Sequence, residues 1–82
     1  MWFVYIIESE SGSFYTGVTT DINKRFRQHS QQIKGGAKFF RGNPPSLLIY
    51  LQEAKSRSEA QQLEAKIKKL SRKQKELLIF SQ

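Results

Sequence analysis

Three places in this sequence hold side chains that can move protons or bind ions. Tyr5 and Tyr15 offer two phenols, Arg25 and His29 lie four positions apart, and Glu64 is a carboxylate further along the chain. Phenols and imidazoles exchange protons, a guanidinium binds oxyanions through a fixed fork of donors, and a carboxylate can hold a hard cation. The absence of cysteine and the single histidine exclude disulfides, thiolate metal sites and the usual histidine-rich zinc sites. Any metal ion must therefore be held mainly by oxygen.

The two tyrosines fall in a segment whose pattern predicts a β-hairpin. Residues 2–7 and 14–19 are rich in aromatic and β-branched side chains, and the turn-forming residues 9–13 separate them. If Tyr5 lies opposite Tyr15, both rings emerge on one face, because directly opposed residues of an antiparallel pair share a face. The same pattern also fits ordinary cross-strand aromatics that fill a small core.

Arg25 and His29 belong to a predicted helix that Asp21 caps and that ends near Gly35-Gly36. The apolar stripe of this helix contains Ile22, Phe26, His29 and Ile33. His29 therefore lies within the stripe and Arg25 on its margin, one helical turn apart. A lone histidine on an apolar stripe is more often structural than catalytic, and Arg25 could be a solvated side chain.

Glu64 belongs to a second predicted helix, which begins at Ser56 or Ser58. The apolar stripe of that helix contains Ala60, Leu63, Ile67 and Leu70. Glu64 lies at the edge of the stripe, where a carboxylate can face a cleft. The alternative is an ion pair with Lys68 one turn later, which stabilises a helix by roughly 0.3–0.5 kcal/mol.

The remaining elements complete one small domain. Residues 37–41 are expected to form a short helical turn, and residues 46–51 a third strand buried on both faces, because the run is apolar. Ser71 and Gln74 make a capping box for a last helix. The 82 residues suffice for one domain, 1–82, with a single modest core. The apolar stretch 2–7 is too short for a signal peptide or a membrane span, so we expect a cytoplasmic protein without a membrane partner.

Positive charge dominates the surface chemistry. Fourteen Lys and Arg residues oppose seven Asp and Glu residues, which gives a net charge of +7. This field favours polyanions, and nucleic acid fits because its phosphates are closely spaced; a solubilising surface is the alternative. Phe39 and Phe40, between basic residues, could stack on exposed bases, or one of them could be buried. The residues expected to contact nucleic acid are Lys34, Lys38, Phe39, Arg41, Lys68 and Lys69.

Several short motifs, taken in order, resemble the GIY-YIG nuclease superfamily. Phe3-Val4-Tyr5 stands where that family has Gly-Ile-Tyr, and Tyr15-Thr16-Gly17 stands where it has Tyr-Ile-Gly. Arg25, His29 and Glu64 follow at matching positions. The chain is most similar to small stand-alone bacterial members, through Gly35-Gly36-Ala37-Lys38, Arg41-Gly42 and residues 64–71. The resemblance implies an α+β fold with a small three-stranded antiparallel sheet flanked by helices, and metal-dependent phosphodiester hydrolysis.

The resemblance also implies a role for each candidate residue. Tyr5 would accept a proton from the attacking water, with Tyr15 beside it as a supporting or competing candidate. Arg25 would bind a non-bridging phosphate oxygen, and His29 would assist proton transfer or hold the phosphate. Glu64 would bind Mg²⁺ or Mn²⁺, with water and substrate phosphates in the remaining places.

Two departures from the family pattern bear on activity. Val18-Thr19 stands where many family nucleases carry a lysine, and no asparagine follows Asn43, although several members have one. The leading hypothesis is a magnesium-dependent endonuclease of low sequence specificity. Its expected substrate is DNA, its expected setting is repair or recombination, and it would act as a monomer or weak homodimer. The alternatives are a catalytically weak or inactive nucleic-acid binding module on the same scaffold and a basic protein-interaction domain.

Overall fold

The computed structural model describes every residue from Met1 to Gln82. In chain order the elements are β1 (Trp2–Ser9), β2 (Phe14–Thr19), α1 (Ile22–His29), a 3-10 turn (Lys38–Phe40), β3 (Pro45–Ala54), α2 (Arg57–Lys68) and α3 (Arg72–Phe80). The strands form one antiparallel sheet in the order β2-β1-β3. The expected α+β fold is confirmed, together with the hairpin and the short helical turn.

The central strand β1 supplies one face of the sheet with aliphatic side chains, because successive residues of a strand point to opposite faces. Val4 and Ile6 are fully buried and pack against Ala60 and Ile67 of α2. Two side chains of α3, Leu78 and Ile79, extend the same cluster. We call this the aliphatic face.

The intervening residues of β1 form a second core on the opposite face. Tyr5 and Ile7 are fully buried and pack with Phe40 of the 3-10 turn. Ile22 and Phe26 of α1 border the cluster, so α1 covers this face of the sheet. We call it the aromatic face, and it carries most of the candidate site.

The prediction that the third strand is buried on both faces is wrong. β3 is an edge strand, paired only with β1, and Leu47 and Leu48 are 58% and 39% exposed. Its first residue is Pro45, whose missing N–H suits an edge position. The apolar run indicated a strand correctly, but hydrophobicity alone does not determine which strand occupies the centre of the sheet.

The first helix is shorter than predicted, although its start is confirmed. The Asp21 side chain accepts a hydrogen bond from the Lys24 N–H at 3.0 Å, as an N-cap should. The helix ends at His29, and Gln31 then takes a left-handed φ of 63°. A residue in that conformation cannot continue a right-handed helix, so Ile33 lies outside it.

The last two helices begin where the capping signals place them. Of the two predicted starts, Ser56 is the N-cap of α2, and its side chain accepts the Glu59 N–H. Ser71 and Gln74 form the predicted capping box of α3. The longest helix has 12 residues, and none of the helices has the length and apolar character that a bilayer crossing requires.

Candidate active site

The hairpin register differs from the predicted one by two residues. Tyr5 pairs with Gly17, and Tyr15 pairs with Ile7, so the expected pairing of Tyr5 with Tyr15 is wrong. The pattern of strand residues did not specify the length of the connecting turn, which determines the register. Because a shift of two residues keeps side chains on the same face, the two rings are still neighbours, with centroids 6.4 Å apart.

Gly17 allows the Tyr5 ring to lie across the neighbouring strand. A Cβ atom at position 17 would lie 2.6 Å from the ring carbon Cζ and closer still to the hydroxyl. Any side chain there would displace the phenol. The last glycine of the Tyr-Thr-Gly motif therefore has a steric role, which is to place the Tyr5 hydroxyl over β2.

The Tyr5 hydroxyl lies between two nitrogen donors from α1. It is 2.8 Å from Nε2 of His29 and 3.4 Å from Nε of Arg25. The other imidazole nitrogen, Nδ1, accepts a hydrogen bond from the backbone N–H of Ala37 at 3.2 Å. Since an amide N–H can only donate, neutral His29 carries its proton on Nε2 and donates it to Tyr5. The Tyr5 oxygen therefore accepts from both neighbours.

Burial keeps the Tyr5 phenol protonated. Desolvation raises the pKa of Tyr5 to about 12, while the hydrogen bond and positive charge of Arg25 oppose the rise. The charges of Tyr15 and Glu64 add smaller upward contributions to this pKa. Because the phenol oxygen already accepts two N–H groups, its own proton is free to be donated to a bound oxygen atom.

His29 is a neutral donor rather than a proton acceptor. Its side chain is fully buried, and its pKa is lowered to about 4, first by burial and then by the charge of Arg25. The ring lies 4.5 Å from Phe40 and 5.2 Å from Tyr15 between centroids. The predicted position on an apolar face is confirmed, and this environment disfavours an imidazolium ion at neutral pH.

The guanidinium of Arg25 is held on one side and open on the other. Its Nη1 donates to Oε1 of Gln28 at 3.0 Å and to the carbonyl oxygen of Gly35 at 2.8 Å. Its Nε donates to Tyr5, and Nη2 has no hydrogen-bond partner within the chain. Arg25 is thus oriented with a free donor beside the Tyr5 hydroxyl, which is suitable for binding an oxyanion.

Tyr15 belongs to an aromatic cluster next to these groups. Its ring lies 5.4 Å from that of Phe39 and 5.1 Å from that of Phe40. Between the two phenols, the Tyr5 hydroxyl is the one that contacts both Arg25 and His29. The alternative that one of the two phenylalanines is buried is confirmed, because Phe40 is buried, whereas Phe39 is half-buried.

Glu64 belongs to α2, the helix that packs on the aliphatic face. Its side chain is only 22% exposed and forms the expected i,i+4 ion pair with Lys68, at 3.3 Å. Its charge nevertheless acts on the Tyr5 hydroxyl, whose pKa it helps to raise. No group of three or more His, Asp or Glu side chains converges in the structure. Glu64 is therefore not part of a preformed cage of three or more such ligands.

Two grooves share Gln28 in their lining, and Arg25 lines the smaller of them. One, of about 610 Å³, is lined by Gln28, the two glycines Gly35-Gly36, Lys34 and Arg41. The other, of about 300 Å³, is lined by Trp2, Thr19, Lys24, Arg25 and Gln28. Lys38 of the 3-10 turn and the two lysines at the end of α2, Lys68 and Lys69, are exposed. The basic residues predicted to contact nucleic acid thus divide between one groove and separate exposed surfaces.

Three residues that contact the site were not selected as candidates. They are Gln28, Gly35 and Ala37, which bind Arg25 or His29 through a side-chain oxygen, a carbonyl and an amide. Two of them act through backbone atoms, whose roles side-chain chemistry does not reveal. The available signal was the Gly-Gly pair, which permits close approach of backbones.

Comparisons with known proteins agree with this architecture. A model of the GIY-YIG catalytic domain matches residues 1–77. A UPF0213 protein of Photorhabdus laumondii is 44% identical over 81 residues, covering 99% of this chain and 76% of its own. A UPF0213 protein of Yersinia enterocolitica is 43% identical over 82 residues, covering 100% and 82%.

A solved structure shares the fold. The solution NMR structure of the UPF0213 protein BH0048 from Bacillus halodurans is 41% identical, with a TM-score of 0.63 over all of this chain and 86% of that one. The two neighbouring tyrosine rings, the arginine and histidine of α1 and the antiparallel sheet thus occur in a chain that the domain model matches almost throughout. This chain belongs to the GIY-YIG family, whose catalytic domain has a nuclease-type fold, and is similar to its small bacterial UPF0213 members.

Proposed function

We propose that this protein is a divalent-metal-dependent endonuclease that hydrolyses phosphodiester bonds in nucleic acid, with DNA as the first substrate to test. The observation that carries the proposal is the Tyr5 hydroxyl held between Nε2 of His29 and Nε of Arg25. This arrangement places a group that exchanges protons beside a permanent cation with a free donor. Phosphodiester hydrolysis requires both.

Arg25 is the phosphate-binding group in this proposal. Its Nη1 is fixed by Gln28 and Gly35, so binding of a phosphate oxygen by Nη2 does not require the guanidinium to be ordered first. The guanidinium stabilises the negative charge that gathers on the phosphate oxygens in the transition state. Lysine offers no comparable fork of donors, and we expect it to substitute poorly.

Tyr5 is the proton-exchanging group, with Tyr15 in support. To accept a proton from water, Tyr5 must first be a phenolate, which the two N–H donors and the Arg25 charge favour and burial opposes. Burial outweighs these neighbours and raises the pKa of Tyr5 to about 12, so more positive charge is needed to ionise the phenol near neutral pH. Additional positive charge at the site is therefore part of the proposal.

Glu64 is the residue that would hold the metal ion, and its surroundings define what kind of ion fits. A carboxylate outside any group of three or more acidic or histidine side chains suits Mg²⁺ or Mn²⁺ coordinated mainly by water and phosphate oxygens. Such an ion, when bound, polarises the phosphate and supplies the missing positive charge. Because Lys68 pairs with Glu64 in the free chain, we expect weak ion binding until a phosphate is present.

The two grooves suggest a path for a bound nucleic-acid strand. Lys34 and Arg41 line the larger groove, Lys24 lines the smaller one, and Gln28 lines both. A nucleic-acid strand that follows both grooves passes Arg25, whose Nη2 is free to donate to a phosphate. Contacts of this kind bind phosphates rather than base edges, which favours low sequence specificity. One site per chain cuts one strand, so cleavage of a duplex requires rebinding or a second copy.

The decisive experiment is nicking of labelled DNA with Mg²⁺, with Mn²⁺ and with a chelator. We compare the intact chain with Arg25→Ala and Glu64→Ala, and we use Arg27→Ala as a matched control because Arg27 is an exposed arginine of the same helix. The expected result is metal-dependent nicking that only the first two variants lose. Equal nicking by all four proteins would identify a contaminating nuclease.

A second candidate function is nucleic-acid binding without efficient catalysis. It is favoured by the raised pKa of Tyr5 and by Val18-Thr19, which leaves no lysine beside the motif. In this case binding weakens steeply with salt, because the contacts are electrostatic, and no product forms from single-stranded, duplex or branched substrates.

A further inference from the structure

The segment 35–37 returns beneath the end of α1 and contacts both active groups of that helix. We call it the return segment. The carbonyl oxygen of Gly35 accepts from Nη1 of Arg25 at 2.8 Å, and the N–H of Ala37 donates to Nδ1 of His29 at 3.2 Å. Both contacts are made by backbone atoms, so they depend on where the segment runs rather than on its side chains.

The contact with His29 determines the direction of the hydrogen bond to Tyr5. When Nδ1 accepts from Ala37, the proton lies on Nε2, and Tyr5 accepts it. In the other tautomer, Nε2 would accept from the Tyr5 hydroxyl, and the phenol proton would point inward. Only the first tautomer leaves the Tyr5 proton free for a substrate or water oxygen and supplies a second donor to the phenol oxygen.

The contact with Arg25 determines which of its donors remains free. Gly35 and Gln28 together occupy Nη1, which directs Nε toward Tyr5 and leaves Nη2 without a partner. Without the Gly35 carbonyl, rotation of the flexible side chain would no longer be restricted to this orientation.

Gly36 is the residue that allows both contacts at once. A Cβ atom at this position would lie 2.9 Å from the backbone carbonyl carbon of Gln28, closer still to the attached oxygen, and 3.1 Å from Cα of His29. These are backbone atoms of α1 that cannot move aside. Gly36 is not among the glycines with positive φ, so its requirement is one of space alone.

We propose that the return segment is a positioning element that fixes the tautomer of His29 and the orientation of Arg25 together, with Gly36 as the residue on which both depend. Gly35, Gly36 and Ala37 act through these two side chains and contact no substrate themselves. The effect on cleavage rests on the function proposed above, whereas the effect on the tautomer does not.

The first test is the tautomer of His29 in the intact chain, measured by two-bond ¹H–¹⁵N correlation NMR at pH 7. His29 is the single histidine, so its ring signals need no assignment. We expect the proton on Nε2 and the shift of an unprotonated nitrogen at Nδ1. A proton found on Nδ1 overturns the proposal.

The second test uses variants of the return segment. Gly36→Ala pushes the segment away from α1, and Ala37→Pro removes the N–H at a residue whose φ of −69° suits proline. Both variants should show mixed tautomers and nick DNA about 10-fold to 100-fold more slowly, as misplaced catalytic groups do. Ala37→Gly keeps the donor and should retain the tautomer.

Gly12→Ala serves as the control for a general loss of stability. Gly12 has a φ of +86° in the hairpin turn and nothing within 4 Å of an added Cβ, so the change strains the backbone away from the site. We expect it to keep both the tautomer and the nicking rate. If Gly36→Ala and Ala37→Pro keep the Nε2 proton, the return segment has no such role. If the intact chain nicks no DNA, the proposed function fails, and the tautomer still decides this proposal.

Discussion

The two faces of the sheet both bury side chains of β1, but they differ in the chemical groups that surround those side chains. On the aliphatic face, Val4 and Ile6 pack with Ala60 and Ile67, and Tyr50 is the only one of the six buried residues of that cluster with a polar side-chain group. On the aromatic face, the residue between them, Tyr5, is buried with polar atoms that must all find partners. One strand therefore contributes packing to one side and directed hydrogen bonds to the other.

This difference shows how so small a domain can combine stability with chemistry. No buried side-chain polar atom lacks a hydrogen bond, so the aromatic face avoids the penalty of an unsatisfied group. Burial nevertheless shifts the pKa values of Tyr5 and His29 on this face, and such shifts are often found together at functional sites. We therefore expect changes on the aromatic face to affect activity most and changes on the aliphatic face to affect stability most.

The largest effect should come from Tyr5→Phe on the aromatic face. The ring is kept, but both N–H donors lose their acceptor, and the group that we propose exchanges protons is gone. We expect nicking to fall about 100-fold to 1000-fold, the range found when one directed catalytic contact is removed. The unfolding free energy should fall by only about 1–2 kcal/mol from the lost hydrogen bond. Single-turnover nicking and urea titration measure the two quantities, and nicking by Tyr5→Phe at the intact rate would transfer the role to Tyr15.

The matching change on the aliphatic face is Ile6→Ala. Ile6 is fully buried in the central strand, so its truncation leaves a cavity between the sheet and α2. We expect the unfolding free energy to fall by about 3 kcal/mol. Nicking at a low temperature, where the variant is folded, should change less than threefold. A large loss of nicking by folded Ile6→Ala would show that the two faces are not separate.

The pH dependence of stability should carry the signature of the aromatic face. The pKa of His29 is about 4 in the fold and near 6.5 when unfolded, so the unfolded chain binds more protons between these values. Stability should therefore fall as the pH is lowered, by about 2 kcal/mol between pH 7.5 and pH 5. Denaturant titrations at a series of pH values measure this slope. In His29→Gln the slope over that interval should largely disappear, and an unchanged slope would assign it to other groups.

The smallest effect should come from Arg72, which joins α3 to the hairpin turn. Its guanidinium lies 3.5 Å from the centroid of the Phe14 ring and donates to the carbonyl oxygen of Gly12 at 2.6 Å. Because the side chain is half exposed, we expect Arg72→Ala to lower the unfolding free energy by only about 1 kcal/mol and to leave nicking unchanged. Lys73→Ala, an exposed neighbour, is the control. Equal melting temperatures for the two variants would exclude a stabilising role for the Arg72 contacts.

Much of the local structure could be predicted from the sequence, because its causes lie within a few residues. Asp21, Ser56 and Ser71 each cap a helix through a hydrogen bond to the backbone three residues later. The Gly-containing turn and the flanking aromatic runs indicated the hairpin. The end of α1 was predicted too late, because Ile33 continued the apolar period although Gln31 breaks the helix.

The candidate site was predictable in its residue types but not in its contacts. The side chains of Arg25 and His29 do converge on the hydroxyl group of Tyr5. Glu64 acts on the same hydroxyl from the helix that covers the other face, although its role as a metal ligand stays a prediction. The pairing of Tyr5 with Gly17 depends on the hairpin register, which the strand pattern left open.

The sequence by itself determined the charge of the chain, which segments form strands and which form helices, and the caps that begin the helices. These properties depend on composition and on neighbouring residues. Only the tertiary structure decided that β3 lies at the edge, that the phenol of Tyr5 remains protonated and that His29 carries its proton on Nε2. Each of these depends on groups distant in the chain that meet in a desolvated space. Burial and the direction of a hydrogen bond are set by such encounters, and no local pattern specifies them.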